Sequence, residues 1–220
     1  DGRTIETTVE NRKMNPGADY RLTLDGEAVL AADGVLNAPS AHWAHFAGVD
    51  ENTNVGYWFP QPAAVNLRRE ARTGSWYGIS RPYNPKEPIT RSYFTLWLDH
   101  GKSPKDATYA YVLLPGRDAA ATAAFAAAPG VEILANTPQV QAARNTKEGV
   151  TGFSFWEAAG PVAGVSADAP ASVIVHETPE TITAGVSDPT HLNTGAVRVT
   201  LPEAKAAKVA EEHAEVKVVS

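Results

Sequence analysis

The strongest constraint on the fold is a succession of short runs in which β-branched and aromatic residues alternate with polar ones. In "SYFTLWLDHG", Tyr93 and Trp97 fall on one side of a strand, and Phe94 and Leu96 fall on the other. This period of two is typical of half-buried strands. Strands at such spacing, separated by turn signals, are typical of stacked antiparallel sheets. We therefore expect an all-β fold of antiparallel β-sandwich sheets with few short helices.

Turn residues indicate how some of these strands connect. Asp25-Gly26 in "DYRLTLDGEAVL" is a strong hairpin signal between two strand-like runs. A second hairpin is predicted between "SYFTLWLDHG" and "ATYAYVLLPG", because the loop "GKSPKD" separates them. The first run, Thr4–Val9, also alternates and predicts a strand, as does Glu215–Val219 near the other end. We expect both of these segments to pair with strands outside this chain.

Helical patterns are scarce. "GRDAAATAAFAAAPG" predicts a helix that Asp118 caps and that Pro129-Gly130 ends. "EAKAAKVAEEHAE" has helical composition over one or two turns. Since a new block of strands begins after the first helix, we divide the chain into domains at 1–129 and 130–220.

Composition excludes several classes of function. A hydrophobic content of 43% is enough for a buried core. The net charge of −6 disfavours nucleic acid and anionic membrane surfaces as partners, because phosphate binding requires clustered Lys and Arg. No apolar run approaches the roughly 20 residues that span a bilayer. The absence of Cys removes disulfides, thiolate nucleophiles and zinc–thiolate sites.

Three short stretches contain residues that are common in active sites. His42 and His45 would form a metal-binding pair only on a helix, and with a third ligand that is not evident, so we favour a structural or hydrogen-bonding role. Asp99-His100 resembles half of an acid–base pair, but it lies beside a turn, where these residues commonly satisfy backbone groups. Asp188-Pro189-Thr190-His191 predicts a local turn. We assign no catalytic residue, no metal ligand and no cofactor, and the substrate-binding residues stay unknown.

Aromatic residues are more suggestive of a function. Tyr57–Phe59 and Trp76-Tyr77 form two clusters, and exposed rings of this kind stack on sugars. Four arginines lie nearby in sequence and are suited to bind carboxylates or sulfates. These are Arg68, Arg69, Arg72 and Arg81. The alternative, which we favour for most of the rings, is that they fill the core of a sandwich.

Several stretches together resemble polysaccharide lyase family 8, which comprises hyaluronate, chondroitin AC and xanthan lyases. "NVGYWFP", "RTGSWYGIS" and "SYFTLWLDHGKSPKDATYAYVLLPG" resemble its central β domain, within which "DGRTIETTVENR" also falls. "FWEAAGPVAG" and "ASVIVHE" resemble its C-terminal β domain. The resemblance implies that 1–129 is the C-terminal part of the central β-sandwich and that 130–220 is an incomplete C-terminal β-sandwich.

The resemblance also implies an activity. Such lyases cleave acidic, uronic-acid-containing polysaccharides by β-elimination, in which a base removes the C5 proton and the leaving oxygen is protonated. The family's catalytic Asn, His, Tyr, Arg and Glu do not map onto this chain, so His42, His45 and His100 are not candidates for the catalytic His. The chain alone is then expected to be inactive and extracellular. Its partner would be the remainder of the same lyase, the helical toroid and the first part of the central β domain. The alternative is a stand-alone carbohydrate-binding or structural β-sandwich protein.

Overall fold

The computed structural model describes residues 2–15, 19–82 and 85–202. It confirms an all-β fold, in which the described strands pair in antiparallel ladders. The chain divides into two compact units, Asp1–Pro129 and Gly130–Ser220. In the first unit the strands are β1 (Thr4–Met14), β2 (Arg21–Leu24), β3 (Glu27–Val29), β4 (Gly34–Ala47), β5 (Val55–Gly74), β6 (Ile89–Lys102) and β7 (Val112–Pro115). Its helices are α1 (Trp76–Ile79) and α2 (Ala119–Ala127), with a 3₁₀ turn at Glu51–Thr53.

The strands of the first unit form one sheet in the order β1-β6-β5-β4-β2-β3, with β7 paired to β5. The predicted hairpin at Asp25-Gly26 joins β2 and β3, and both turn residues have positive φ, as a type I′ turn requires. The predicted hairpin between β6 and β7 is wrong. Because β5 is 20 residues long, one of its edges has room for β7 along Val55–Trp58 and for β6 along Val65–Gly74.

This sheet folds back on itself to enclose a core. Phe46 pairs with Val55 of β5, while Phe94 pairs with Arg69 of the same strand. Fourteen residues of straight strand would separate these positions by about 46 Å, yet the two phenylalanine rings stack 5.5 Å apart. Register shifts around Ala41 interrupt the β4–β5 ladder and are the type of irregularity that bends a sheet. The buried residues include Met14, Leu22, Ala41, Ala44, Phe46, Tyr57, Phe59, Val65, Leu67, Phe94, Leu96 and Leu98.

The predicted helix is confirmed as α2. The Asp118 side chain accepts a 2.7 Å hydrogen bond from the Ala121 amide and so caps its first turn. Thr122 is fully buried, and its hydroxyl donates to the Asp118 carbonyl at 2.8 Å. A Cβ atom on Gly56 would meet the Thr122 side chain, so the absence of a side chain at Gly56 allows α2 to approach β5 closely.

The described part of the second unit, up to residue 202, contains two sheets. One has the order β14-β13-β10-β9-β8 and the other β11-β12-β15. Their bounds are β8 (Val131–Asn136), β9 (Val140–Asn145), β10 (Val150–Phe155), β11 (Ala159–Val162), β12 (Val165–Ala167), β13 (Ala171–Glu177), β14 (Ile182–Ser187) and β15 (Val199–Thr200). Inward residues of both sheets share one core, in which the rings of Phe153 and Phe155 stack 5.8 Å apart. This arrangement confirms the expected sandwich architecture.

The strand predicted at Thr4–Val9 is part of β1, and it pairs with β6 of the same chain. Within the described ranges no strand lies along the other edge of β1. The segment Glu215–Val219 and the second helical pattern lie outside the described residues. In the described part of the chain, no helix is both long enough and apolar enough to cross a bilayer.

Candidate functional site

The two histidines considered as a metal pair lie in different environments. His42 is mostly exposed, with its Nδ1 atom 3.7 Å from the Asp25 carboxylate. His45 is buried, and its Nε2 atom lies 3.0 Å from the Arg117 carbonyl, so this nitrogen donates the bond. Burial lowers the pKa of His45, which favours the neutral ring. Among the residues that the structure describes, no three His, Asp or Glu side chains group as a metal site.

The polar residues of the other two stretches, 99–100 and 188–191, form hydrogen bonds with nearby backbone and side-chain groups. Asp99 accepts a 2.7 Å hydrogen bond from the Gly101 amide, whereas His100 lies 2.8 Å from the Thr7 hydroxyl. Asp99 and His100 therefore do not act on each other. The Asp188 carboxylate accepts bonds from the hydroxyl and then the amide of Thr190, at 2.6 and 2.8 Å, and these bonds lower the pKa of Asp188. This is turn geometry on an exposed segment.

The first aromatic cluster belongs to the core. Tyr57, Trp58 and Phe59 are all buried, and the Trp58 ring meets Phe125 of α2 edge-on. Trp76 differs, because 54% of it is exposed at the start of α1, between β5 and β6. Core packing therefore accounts for the cluster at 57–59 but not for Trp76.

A polar cluster in the first unit has the residue types of a catalytic centre. The Tyr57 hydroxyl donates to Glu10 at 2.6 Å, and Arg12 donates to the same carboxylate at 3.0 Å. Burial, followed by the bond to Glu10, raises the pKa of Tyr57 strongly. Tyr57 has no exposed surface, so a substrate has no access to it. The contacts of this cluster are internal to the unit, and they link β5 to β1.

The remaining arginines and aromatics meet on the outer face of the sheet. Residues opposite each other in the β5–β6 ladder lie on the same face, and Val65 and Leu67 of β5 face the core. The alternate residues of β5 therefore face outward, with their partners on β6. We define the arginine–aromatic face as the outward residues Lys13, Asn66, Arg68, Glu70, Arg72, Arg91, Tyr93, Thr95 and Trp97.

Two arginines of this face lie over aromatic rings. The Arg68 guanidinium carbon is 5.2 Å from the centre of the Trp97 ring, and that of Arg72 is 4.8 Å from the Tyr93 ring. Arg68 and Arg72 are four strand residues apart, or about 13 Å. Such cation–π contacts hold a guanidinium in place while leaving its edges open to hydrogen bonds.

The two arginines differ in how far their hydrogen-bonding capacity is used. Arg72 donates to Glu70 at 2.8 Å, to Asn11 at 2.9 Å and to Thr95 at 2.8 Å. Arg68 approaches only the Glu70 carboxylate, at 3.8 Å, and its side chain is 43% exposed. Arg68 has no hydrogen bond to any of the described residues. Of the two arginines held over rings, Arg68 is therefore the one with more donors available to a ligand.

A shallow depression of about 380 Å³ adjoins the face. The side chains of Asn37, Asn66 and Asp99 line it together with Ala38 and Pro39. Amide and carboxylate groups beside small apolar side chains are suited to sugar hydroxyls and ring C–H groups.

The sequence grouped Arg68 and Arg72 with Trp76 and Tyr77, whereas in the structure the rings beneath the two arginines are those of Trp97 and Tyr93. Arg69, one residue from Arg68, faces the opposite side of the sheet and donates to the Leu30 and Ala31 carbonyls at 3.3 and 3.1 Å. Arg81 lies in an exposed turn after α1. Trp97 and Tyr93 were recognised as strand residues but not as partners of the arginines.

Comparison with known proteins defines the family. Residues 1–126 match the super-sandwich domain of polysaccharide lyase family 8, and residues 132–197 match its C-terminal beta-sandwich domain. The chain therefore belongs to polysaccharide lyase family 8, as the sequence motifs predicted.

Individual relatives agree with this assignment. A xanthan lyase of Bacillus sp. strain GL1 is 40% identical over 205 residues, which is 91% of this chain and 22% of that protein. A hyaluronate lyase of Thermasporomyces composti is 37% identical over 191 residues, 86% of this chain and 24% of that protein. The structure of a Paenibacillus xanthan lyase superposes with a TM-score of 0.91 at 35% identity, covering 97% of this chain and 21% of that one. The chain thus spans less than a quarter of the length of these three relatives.

Proposed function

We propose that this chain is the β-sandwich portion of a secreted polysaccharide lyase that cleaves uronic-acid-containing glycans by β-elimination. The observation that carries the proposal is that the chain matches two domains of the family, the super-sandwich domain and the C-terminal sandwich domain. These matched residues correspond to less than a quarter of the length of the full relatives. We assign 1–129 to the end of the central sandwich and 130–220 to an incomplete C-terminal sandwich. The remainder of the lyase is the chain's partner.

In this proposal the catalytic groups lie outside the chain. β-Elimination needs a base with access to the C5 proton and groups that neutralise the uronate carboxylate. Tyr57 is buried and its raised pKa disfavours the phenolate that a base requires. His45 is also buried and bonded to a backbone carbonyl. The chain supplies a scaffold and a polar outer surface to which a glycan can bind.

Activity measurements test this proposal. Residues 1–220 and the longer protein that contains them are incubated separately with hyaluronan, chondroitin and xanthan, and the unsaturated uronate product is followed by its absorbance. We expect product from the longer protein alone. Turnover by the 220-residue chain that survives repurification would place catalysis within it, and an inactive longer protein would refute the lyase proposal.

The arginine–aromatic face favours a second candidate, a carbohydrate-binding sandwich protein without catalysis. The intact mass of the source protein discriminates between the two proposals. A mass well above the 23.3 kDa of this chain supports the lyase. A source protein of 23.3 kDa that binds glycans without releasing product supports the binding protein.

A further inference from the structure

We propose that the arginine–aromatic face binds a strand of acidic glycan, with Arg68 as the donor to its carboxylate or sulfate groups. The inference rests on the proposed function for the class of glycan. It goes further in naming the surface and the side chain that bind it. The depression beside Asn37 and Asn66 would hold a neighbouring sugar ring of the same strand.

The first argument is the state of the Arg68 guanidinium. The Trp97 ring fixes its position at 5.2 Å, and the Glu70 carboxylate is too far away, at 3.8 Å, for a hydrogen bond. An arginine held in this way loses little conformational freedom when it binds an anion, and its planar fork matches a carboxylate or sulfate. Arg72, by contrast, already uses three donors on Glu70, Asn11 and Thr95.

The second argument is the distribution of charge. On the outward side of β5, β6 and β1 the cations Lys13, Arg68, Arg72 and Arg91 outnumber the carboxylates Glu6, Glu70 and Asp99 by one, although the whole chain has a net charge of −6. Cations gathered on one face of an acidic protein attract anionic ligands. The buried centre of a permanent protein interface is typically apolar and depleted in charge. The charge therefore favours a polyanion over another protein surface as the occupant.

The third argument is continuity with the depression. Asn66 is paired with Trp97 across the β5–β6 ladder, and it also lines the depression with Asn37 and Asp99. A glycan in which uronic acids alternate with neutral sugars presents a carboxylate on one ring and neutral hydroxyls on the next. An arginine matches the charged ring, and the amides of Asn37 and Asn66 with the Asp99 carboxylate match a neutral ring, whose hydroxyls can donate to that carboxylate.

Binding measurements on the 220-residue chain test the inference. Size-defined oligosaccharides of hyaluronan, chondroitin sulfate and xanthan are titrated by calorimetry, each with a carboxyl-reduced counterpart, and circular dichroism checks the fold of every variant. Arg68→Gln is compared with Arg21→Gln, which removes the same charge from an exposed pair with Asp19. Arg68→Lys is the second variant, because it keeps the charge and removes the fork.

We expect at least one acidic oligosaccharide to bind. Its affinity should fall about tenfold in Arg68→Gln, fall by a smaller factor in Arg68→Lys, and change less than about twofold in Arg21→Gln. Reducing the carboxyl groups of the ligand should have the same effect as removing Arg68, where carboxylates are its only acidic groups. The carboxyl-reduced oligosaccharide should then bind the unsubstituted chain about as weakly as the acidic oligosaccharide binds Arg68→Gln. Three results would overturn the inference. The first is an equal loss of affinity in Arg68→Gln and Arg21→Gln, and the second is full affinity in both Arg68 variants. The third is no binding of any oligosaccharide to the chain. An inactive longer protein would refute the proposed function but would leave this binding result unchanged.

Discussion

The Tyr57 hydroxyl donates a 2.6 Å hydrogen bond to the Glu10 carboxylate, and so joins β5 to β1, two strands that are not neighbours in the sheet. Glu10 also accepts from Arg12, whose second guanidinium nitrogen donates to the Thr53 carbonyl at 3.0 Å. The Arg12 guanidinium lies 5.1 Å from the centre of the Phe46 ring. These contacts hold together the two parts of the sheet that fold onto each other.

Replacing Tyr57 by Phe tests the contribution of this bond. The substitution removes the hydroxyl and leaves a largely buried carboxylate with one donor fewer, so we expect the free energy of unfolding to fall by about 1–3 kcal/mol. Urea denaturation measures the change. Tyr77→Phe is the control, because Tyr77 is a partly exposed residue of the short helix α1 and its ring contacts Lys86. We expect that control to change stability by less than about 0.5 kcal/mol, and an equal loss in both variants would contradict the assigned role of Glu10.

Alkaline pH provides an independent test of the same residue. The pKa of Tyr57 is raised in the folded state, chiefly by burial, from the value of 10.0 for an unperturbed tyrosine. Above pH 10 the unfolded state therefore holds fewer protons than the folded state, and stability falls as the pH rises. We expect Tyr57 to add a slope of at most about 1.4 kcal/mol per pH unit there, and Tyr57→Phe to remove it. Urea denaturation between pH 9 and about pH 11 measures both slopes, and identical slopes would show that Tyr57 ionises equally in both states.

Local pattern predicted the strands better than it predicted their partners. The alternation in β6 placed Phe94, Leu96 and Leu98 on one face, and all three are buried. The β6–β7 hairpin failed because the length and bending of β5 decide which strands share its edge, and these depend on contacts distant in sequence. The short distance in sequence between "SYFTLWLDHG" and "ATYAYVLLPG" does not show how long or how bent β5 is.

The sequence singled out Arg68 and Arg72 as possible ligands of acidic groups, but it did not show which rings they contact. Arg68 and Trp97 are 29 positions apart in the sequence, and they meet because the β5–β6 register places Asn66 opposite Trp97. The signal was partly present, since Arg68 and Arg72 alternate with the buried Val65 and Leu67 and must face away from the core. Only the register between strands shows which rings lie beneath them.

His45 makes stability depend on pH in the acid range. Burial lowers its pKa below 6.5, an effect that the bond to the Arg117 carbonyl and the charge of Asp118 partly oppose. As the pH falls below 6.5, the unfolded state binds a proton more readily than the folded state, so stability is lost. His45→Gln keeps a donor for the carbonyl and removes the titration. We expect its stability to fall less steeply than that of the unsubstituted chain between about pH 6.5 and pH 5, as followed by urea denaturation, and parallel curves would rule out His45 as the cause.

The contact between Gly56 and Thr122 decides whether α2 can pack on β5. A Cβ atom at position 56 would lie 2.8 Å from the Thr122 methyl carbon and 3.1 Å from its Cβ atom. The Thr122 hydroxyl also occupies the space that this Cβ atom would need, and it is held there by its hydrogen bond to the Asp118 carbonyl. We expect Gly56→Ala to lower the free energy of unfolding by about 1–3 kcal/mol, because the helix must move or the strand must distort.

A double-mutant cycle shows whether steric overlap is the cause. Thr122→Ala removes the methyl and hydroxyl groups, so the pair Gly56→Ala and Thr122→Ala should be less destabilising than the sum of the single changes by about 1 kcal/mol. Gly152→Ala is the matched control on β10, where an added Cβ meets nothing within 4 Å, and its effect should be within about 0.5 kcal/mol. Additive losses at Gly56 and Thr122, measured by urea denaturation, would mean that the two residues destabilise the chain independently and that Gly56 is required for another reason.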